Sequence, residues 1–262
     1  MRESVRRAFV AFSAPLEGVV AHMYLDVKGL VTTAIGILID PMSMALGLPF
    51  RRPGGALATR DEIAAEWQRL KADPNAAKMG HRYAARITTL RLDDRGIEDV
   101  VATKLEANDA LLRQRFPEWE SWPADAQLAT HSMAWACGPA FRFPRLEAAL
   151  RARDFAAAAN ECQMSTAGNP GIVPRNARNR VLYRNAAAVA GSGGTLSPDV
   201  LYWPADMETA PVDHDAETVP DLDAYRAEQP AATVTVLPDT IAGIHCQHCG
   251  LASCDGNCLD AA

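Results

Sequence analysis

Glu17, Asp26 and Thr32 are the residues of this chain whose types and spacing suit chemistry. A carboxylate at Glu17 is followed nine residues later by Asp26 and six further on by Thr32, across a turn at Gly29. Two carboxyl groups converging on one cleft suit the cleavage of a glycosidic bond. One protonates the leaving oxygen while the other serves the opposite face of the sugar. With Glu17 where a helix meets a sheet, packed surroundings raise its pKa and keep it an acid. Asp26, at the sheet edge, stays ionised to hold or activate water, or to stabilise the positively charged sugar, and Thr32 orients the same water. Each residue also has a plain reading: a helix-end charge, a turn residue, a strand former.

The elements that must position these groups are short. Residues 3 to 12 place Val5, Phe9, Val10 and Phe12 near one face, the pattern of a helix, with Glu17 just beyond it. From Met23 to Asp40 β-branched residues are dense and Gly29 and Gly36 mark turns, which predicts a hairpin or a three-stranded sheet. Residues 41 to 58, rich in Pro and Gly, read as loop. Thr59 to Glu62 form a capping-box pattern that opens a helix to about Ala72. After a mixed segment, further helices are predicted over 95 to 115, from Pro123 to Gly138, over 143 to 153 and 154 to 162, and from Pro174 to about Val189. The expectation is an α+β fold: a small N-terminal β-sheet, a mainly helical C-terminal lobe, then an irregular tail.

At 262 residues and 48% apolar composition the chain can bury a proper core, and no apolar run reaches the length of a membrane span. The N-terminus reads as a helix, not as a signal peptide, because Ser13, Pro15 and Glu17 interrupt the apolar run. Charge divides unevenly. Residues 193 to 262 hold twelve acidic residues and one basic residue, a net of −11, which leaves +5 for the rest of a chain whose total is −6. A mildly cationic body suits an anionic polymer, although such a charge is also ordinary for a solvated surface. The shift of composition divides the chain into a body over 1–190, an acidic Pro/Ala/Asp-rich linker or packed arm over 191–238, and a cysteine-rich segment over 239–262.

Cys137 and Cys162 stand alone in helical patterns and read as small apolar core residues. The tail supplies Cys246, Cys249, Cys254 and Cys258 with His245 and His248 interleaved. Four thiolates, or three with an imidazole, can enclose one structural zinc, while disulfides and free thiols remain open alternatives. A nucleic-acid partner is disfavoured by the −11 charge around this cluster.

Taken together, Glu17-Gly18, Tyr24-x-Asp26, Gly29, Thr32 and Ile35-Gly36 resemble the signature of the phage-type lysozymes, with the same run of acid, eight residues, aspartate, five residues and threonine. Ser132 to Gly138 is similar to that family's central buried helix. Phe143-Pro144-x-Leu146 and Asp154 to Ala158 are similar to the two short helices after it, and Val173 to Arg180 to its closing basic helix. The likeness covers about residues 3 to 190. It departs at Ala34-Ile35-Gly36-Ile37, where the family carries Gly-x-Gly-His, at Asn176, where arginine is commoner, and over Pro41 to Gly80, which has no close counterpart.

The resemblance implies a lysozyme-like fold and hydrolysis of the β-1,4 bond between N-acetylmuramic acid and N-acetylglucosamine in peptidoglycan. Glu17 would be the general acid, with Asp26 and Thr32 placing the attacking water, and the anomeric carbon would be inverted. No cofactor is needed for that chemistry. A phage or prophage enzyme of this kind would be made in the host cytoplasm and act on the periplasmic or external wall. It would reach the wall through a holin-type partner or as part of a virion. The competing expectation is a structural virion or secretion-apparatus protein that keeps such a fold as a docking module.

Overall fold

The computed structural model describes residues 1–167 and 171–207. The cysteine cluster at Cys246, Cys249, Cys254 and Cys258, with its expected zinc, and the acidic segment from residue 208 onward lie outside the described residues. Within them the chain forms an α+β body: one three-stranded antiparallel sheet near the N-terminus and eight α-helices. None of these helices is long and apolar enough to cross a membrane.

The first helix, α1 (Glu3–Glu17), is longer than the sequence pattern indicates. Its apolar stripe of Val5, Ala8, Phe9, Phe12 and Leu16 is buried, and the complete burial of Phe9 and Phe12 stabilises the body by about 1.5–3 kcal/mol each. Pro15 does not end the helix, because it stands on the exposed side and removes a single hydrogen bond near the terminus. The end comes at Gly18, whose positive φ of 73° turns the chain while its N–H closes on the Ala14 carbonyl. Glu17 is therefore the last helical residue and sits where helix meets sheet.

The sheet comprises β1 (Val20–Leu25), β2 (Val31–Ala34) and β3 (Ile37–Leu38), in that order. Tyr24 pairs with Thr32, Leu25 with Val31, and Thr32 with Leu38. Because strand side chains alternate between faces, Met23, Leu25, Val31, Thr33 and Ile37 lie on one side and are buried in the core. Tyr24, Thr32 and Leu38 share the other side.

Two helices follow the Pro- and Gly-rich connection. In α2 (Arg60–Ala72) the capping box is complete: Thr59 accepts from the Glu62 N–H at 3.3 Å and Glu62 accepts from the Thr59 N–H at 2.7 Å. The segment left mixed in the sequence folds as α3 (Ala76–Ile87), interrupted at Gly80, where φ is +66°. That break explains why helical periodicity was weak there. Small residues at Ala76 and Ala84 let α3 pack closely against β1.

The long α4 (Asp94–Arg115), capped by Asp93 on the Gly96 N–H at 2.8 Å, leads into the helical lobe. There α5 (Ala124–Cys137) is buried almost throughout and packs against α1, α4 and α8 (Ile172–Gly191). The short α6 (Pro144–Arg151) and α7 (Phe155–Glu161) close that lobe. Cys162 is buried as expected, whereas Cys137 is half-buried with its thiol 3.5 Å from the Met164 sulfur.

The start of the segment expected as a linker or packed arm lies against the body. Residues 192–207 remain packed on it, with Leu201 and Trp203 buried and the Trp203 ring 5.2 Å from that of Phe12. Asp125 fastens this arm by accepting from the Tyr202 N–H at 2.9 Å, the Trp203 N–H at 3.1 Å and Asn185 Nδ2 at 3.0 Å. Burial pushes the Asp125 carboxyl up to about 6, against the pull of those three donors.

Candidate active site

Glu17 carries an ion pair that its place in the sequence does not announce. Its Oε1 accepts from Nη2 of Arg175, the fourth residue of α8, and Arg175 is completely buried. The same guanidinium donates through Nη1 to the Ser132 carbonyl at 3.2 Å and to Ser132 Oγ at 3.1 Å. One cation thus joins α1, α5 and α8. Burial pushes the Glu17 carboxyl above its ordinary value, and the Arg175 charge pulls it part of the way back.

With Oε1 committed to Arg175, a proton on Glu17 belongs on Oε2. That oxygen faces the turn between β2 and β3: a methyl group built on Gly36 would lie 3.9 Å from it. Gly36 holds φ at +79°, which favours glycine. The turn is held to the helical lobe by Trp135, whose Nε1 donates to the Ile35 carbonyl at 3.1 Å.

Asp26 is 8% exposed and ends β1 in a tight loop. Its Oδ1 accepts from the Lys28 N–H at 2.9 Å and the Leu30 N–H at 2.8 Å, while its main chain exchanges bonds with Leu30 and Gly29. These bonds fix the carboxylate plane and leave Oδ2 for a further donor such as water. Thr32 is 1% exposed, and its hydroxyl donates to the Leu30 carbonyl at 3.3 Å. It therefore shares the Asp26 loop as a structural neighbour, with its acceptor lone pairs unspent.

Tyr24 feels the charge of both carboxyl groups. It pairs with Thr32 across the sheet, and burial raises its phenol pKa, with the charges of Glu17 and Asp26 adding to the rise. The phenol lies within electrostatic reach of both acids. Its ring meets that of His81 on α3 edge to face, with centroids 6.2 Å apart. Beside it, His22 donates through Nε2 to the His81 carbonyl at 2.8 Å, and burial lowers the His22 pKa to about 4. His22 is therefore neutral at neutral pH.

Glu17 and Asp26 thus both act on Tyr24 electrostatically, and Tyr24 pairs across the sheet with Thr32. The sequence reading did not assign a site role to Arg175, Tyr24 or His81. Arg175 was detectable in principle: it falls on the α8 stripe of Ile172, Asn179, Leu182 and Ala186, all buried. A charged residue on a buried stripe requires an internal partner. His81 was not detectable, since it depends on an unrecognised helix. No protein-family model, curated protein or solved structure matches this chain.

Proposed function

We propose that the chain is a glycoside hydrolase of the lysozyme type, a muramidase that cleaves the β-1,4 bond between N-acetylmuramic acid and N-acetylglucosamine in bacterial peptidoglycan. The observation that carries this reading is the environment of Glu17. A carboxyl buried at a helix–sheet junction, raised in pKa and held in one orientation by a buried guanidinium, has the properties of a general acid. The proton on Oε2 passes to the glycosidic oxygen as the C–O bond breaks.

Asp26 complements it. Its Oδ1 is tied to backbone donors, and Oδ2 holds the attacking water or offsets positive charge on the sugar ring. In an inverting reaction that water adds at the anomeric carbon from the face opposite the departing oxygen, and the water's proton is taken up at Asp26. Thr32 braces the loop that positions Asp26 and offers the water an acceptor. No cofactor enters these steps. The enzyme acts on the cell wall as a phage or prophage endolysin or as a virion-associated lysin.

A second reading, a docking module that keeps this fold without the chemistry, draws on one observation: Thr32 is buried and its hydroxyl is directed to the Leu30 carbonyl. Turbidity clearing of purified peptidoglycan, with reducing-sugar release followed in parallel, separates the two. The hydrolase reading requires clearing by the wild type that Glu17→Gln abolishes; no clearing by either protein sinks it.

A further inference from the structure

Helix α2 belongs to the stretch from Pro41 to Gly80 that has no close counterpart in the resembled signature, and it reaches the loop that carries Asp26. Lys71, in its last turn, donates from Nζ to the Gly29 carbonyl at 2.7 Å and to Asp40 Oδ2 at 2.8 Å. The same Asp40 oxygen accepts from the Val31 N–H at 3.1 Å. Between these two holds stands Leu30. Its N–H donates to Asp26 Oδ1 at 2.8 Å, and its carbonyl accepts from the Asp26 N–H at 2.9 Å and the Thr32 hydroxyl at 3.3 Å. One ammonium and one carboxylate therefore grip the chain on either side of the residue to which both Asp26 and Thr32 are tied.

The grip is itself anchored. Ile63 and Leu70 are buried, and Trp67, one turn before Lys71, donates from Nε1 to the Ile39 carbonyl at 3.1 Å. The Lys71 ammonium lies 5.4 Å from the centre of the Trp67 ring, which limits the sweep of a long side chain. Glu66 accepts from the Thr89 and Leu90 N–H groups at 2.7 and 3.0 Å, and so fastens α2 to the chain beyond α3. A cation in the last turn also suits the helix dipole, and a partly exposed ion pair adds little to stability. Neither accounts for an ammonium that meets both a backbone carbonyl of the Asp26 loop and the carboxylate holding that loop's other side. We propose that Lys71 is a positioning residue for the candidate site: with Asp40 it clasps the 26–31 loop and sets the direction of the Asp26 carboxylate. The inference rests on the glycosidase reading above. Asp26 must present Oδ2 to a water at one place beside the sugar, and its own bonds fix the carboxylate relative to Lys28 and Leu30. The clasp ties those residues in turn to α2 and Asp40.

The test uses the full chain and measures kcat and KM on soluble, uncross-linked peptidoglycan, with amide hydrogen exchange read by NMR. Lys71→Met should lower kcat by about 10- to 100-fold with KM nearly unchanged, because misplacing a reacting group by about 1 Å costs up to that much. The Lys28 and Leu30 amides, which bond Asp26, should exchange severalfold faster, while those of α5 do not change. Lys71→Arg, whose guanidinium can reach both acceptors, should recover most of the rate, and Asp40→Asn should give a smaller loss of the same sign. Thermal melts set the folded fraction of each variant. A fall in rate that tracks the folded fraction, lies in KM alone, or comes without faster exchange overturns the clasp, as does an unchanged kcat; each leaves the glycosidase reading intact. If the wild type cleaves nothing, the glycosidase reading fails. Exchange then decides the clasp by itself: faster exchange at Lys28 and Leu30 in Lys71→Met upholds it, and unchanged exchange overturns it.

Discussion

Arg175 and Glu17 are 158 residues apart in the chain and meet as a buried ion pair at the junction of α8 and α1. The relationship opposes the rise that burial imposes on the pKa of the residue proposed as acid, and most of what can be tested follows from it.

Glu17→Gln keeps the shape of the side chain and an acceptor for Arg175 but removes the proton that is transferred. Cleavage should fall ~100-fold or more, read as reducing-sugar release from purified peptidoglycan. A circular dichroism melt shows that the variant is folded. Retained cleavage would remove Glu17 from the mechanism.

Arg175→Met takes away the charge that draws the Glu17 pKa down, so that pKa should rise further. Activity that needs protonated Glu17 is lost as pH rises through this value, and its alkaline limb should therefore move to higher pH. The variant should also lose stability, by about 3–5 kcal/mol if Glu17 were left ionised without its partner and by less as Glu17 takes up a proton. A pH–rate profile and a denaturant melt measure the two effects separately. An unmoved alkaline limb would contradict the assignment of Glu17 as the acid.

Two buried groups oppose each other in mild acid. The folded pKa of Asp125 is about 6 against an ordinary 3.8, so between about pH 4 and 6 the folded state binds more protons at this site than the unfolded state. Its contribution to stability therefore falls as pH rises through that window. His22, at about 4 against 6.5, does the reverse: the unfolded state binds more protons, and stability rises with pH over a similar range. Asp125→Asn should lower Tm and leave a steeper rise with pH, whereas His22→Gln should flatten or invert the profile. Parallel profiles for all three proteins would refute this account.

Gly36→Ala introduces a methyl group 3.9 Å from Glu17 Oε2 at a residue with φ +79°. Backbone strain should cost about 1 kcal/mol, seen as a Tm lower by several degrees. A methyl group resting against Oε2 takes up space on the side of that oxygen where the glycosidic oxygen would approach, and should reduce cleavage by more than that loss of folded protein explains. Activity that simply tracks the folded fraction would show that Oε2 does not face the substrate.

Much of this arrangement was legible in the sequence because it rests on local rules. The dense β-branched residues and the glycines at 29 and 36 announced the sheet, and Thr59 with Glu62 announced the start of α2. Helix α3 was hidden because Gly80 interrupts its period, and the packing against β1 that sustains the helix is tertiary. The extension of α1 to Glu17 was hidden by Pro15, which only the exposed position of that residue excuses. For the site, the two carboxyl groups and the threonine lie close in sequence and could be read together. Their setting could not: Arg175 arrives from the far end of the body, and His81 from a helix the pattern did not reveal.

The Arg175 guanidinium holds Glu17 on one helix and Ser132 on another while belonging to a third. A proton on Glu17 weakens that grip, and its departure restores it. The fastening of the three-helix junction should therefore vary with the ionisation of one carboxyl, looser while Glu17 is protonated and neutral and firmer when it is ionised. The proposed proton donor and the joint of three helices share a single fastening, so a substitution that tunes either one should alter the other.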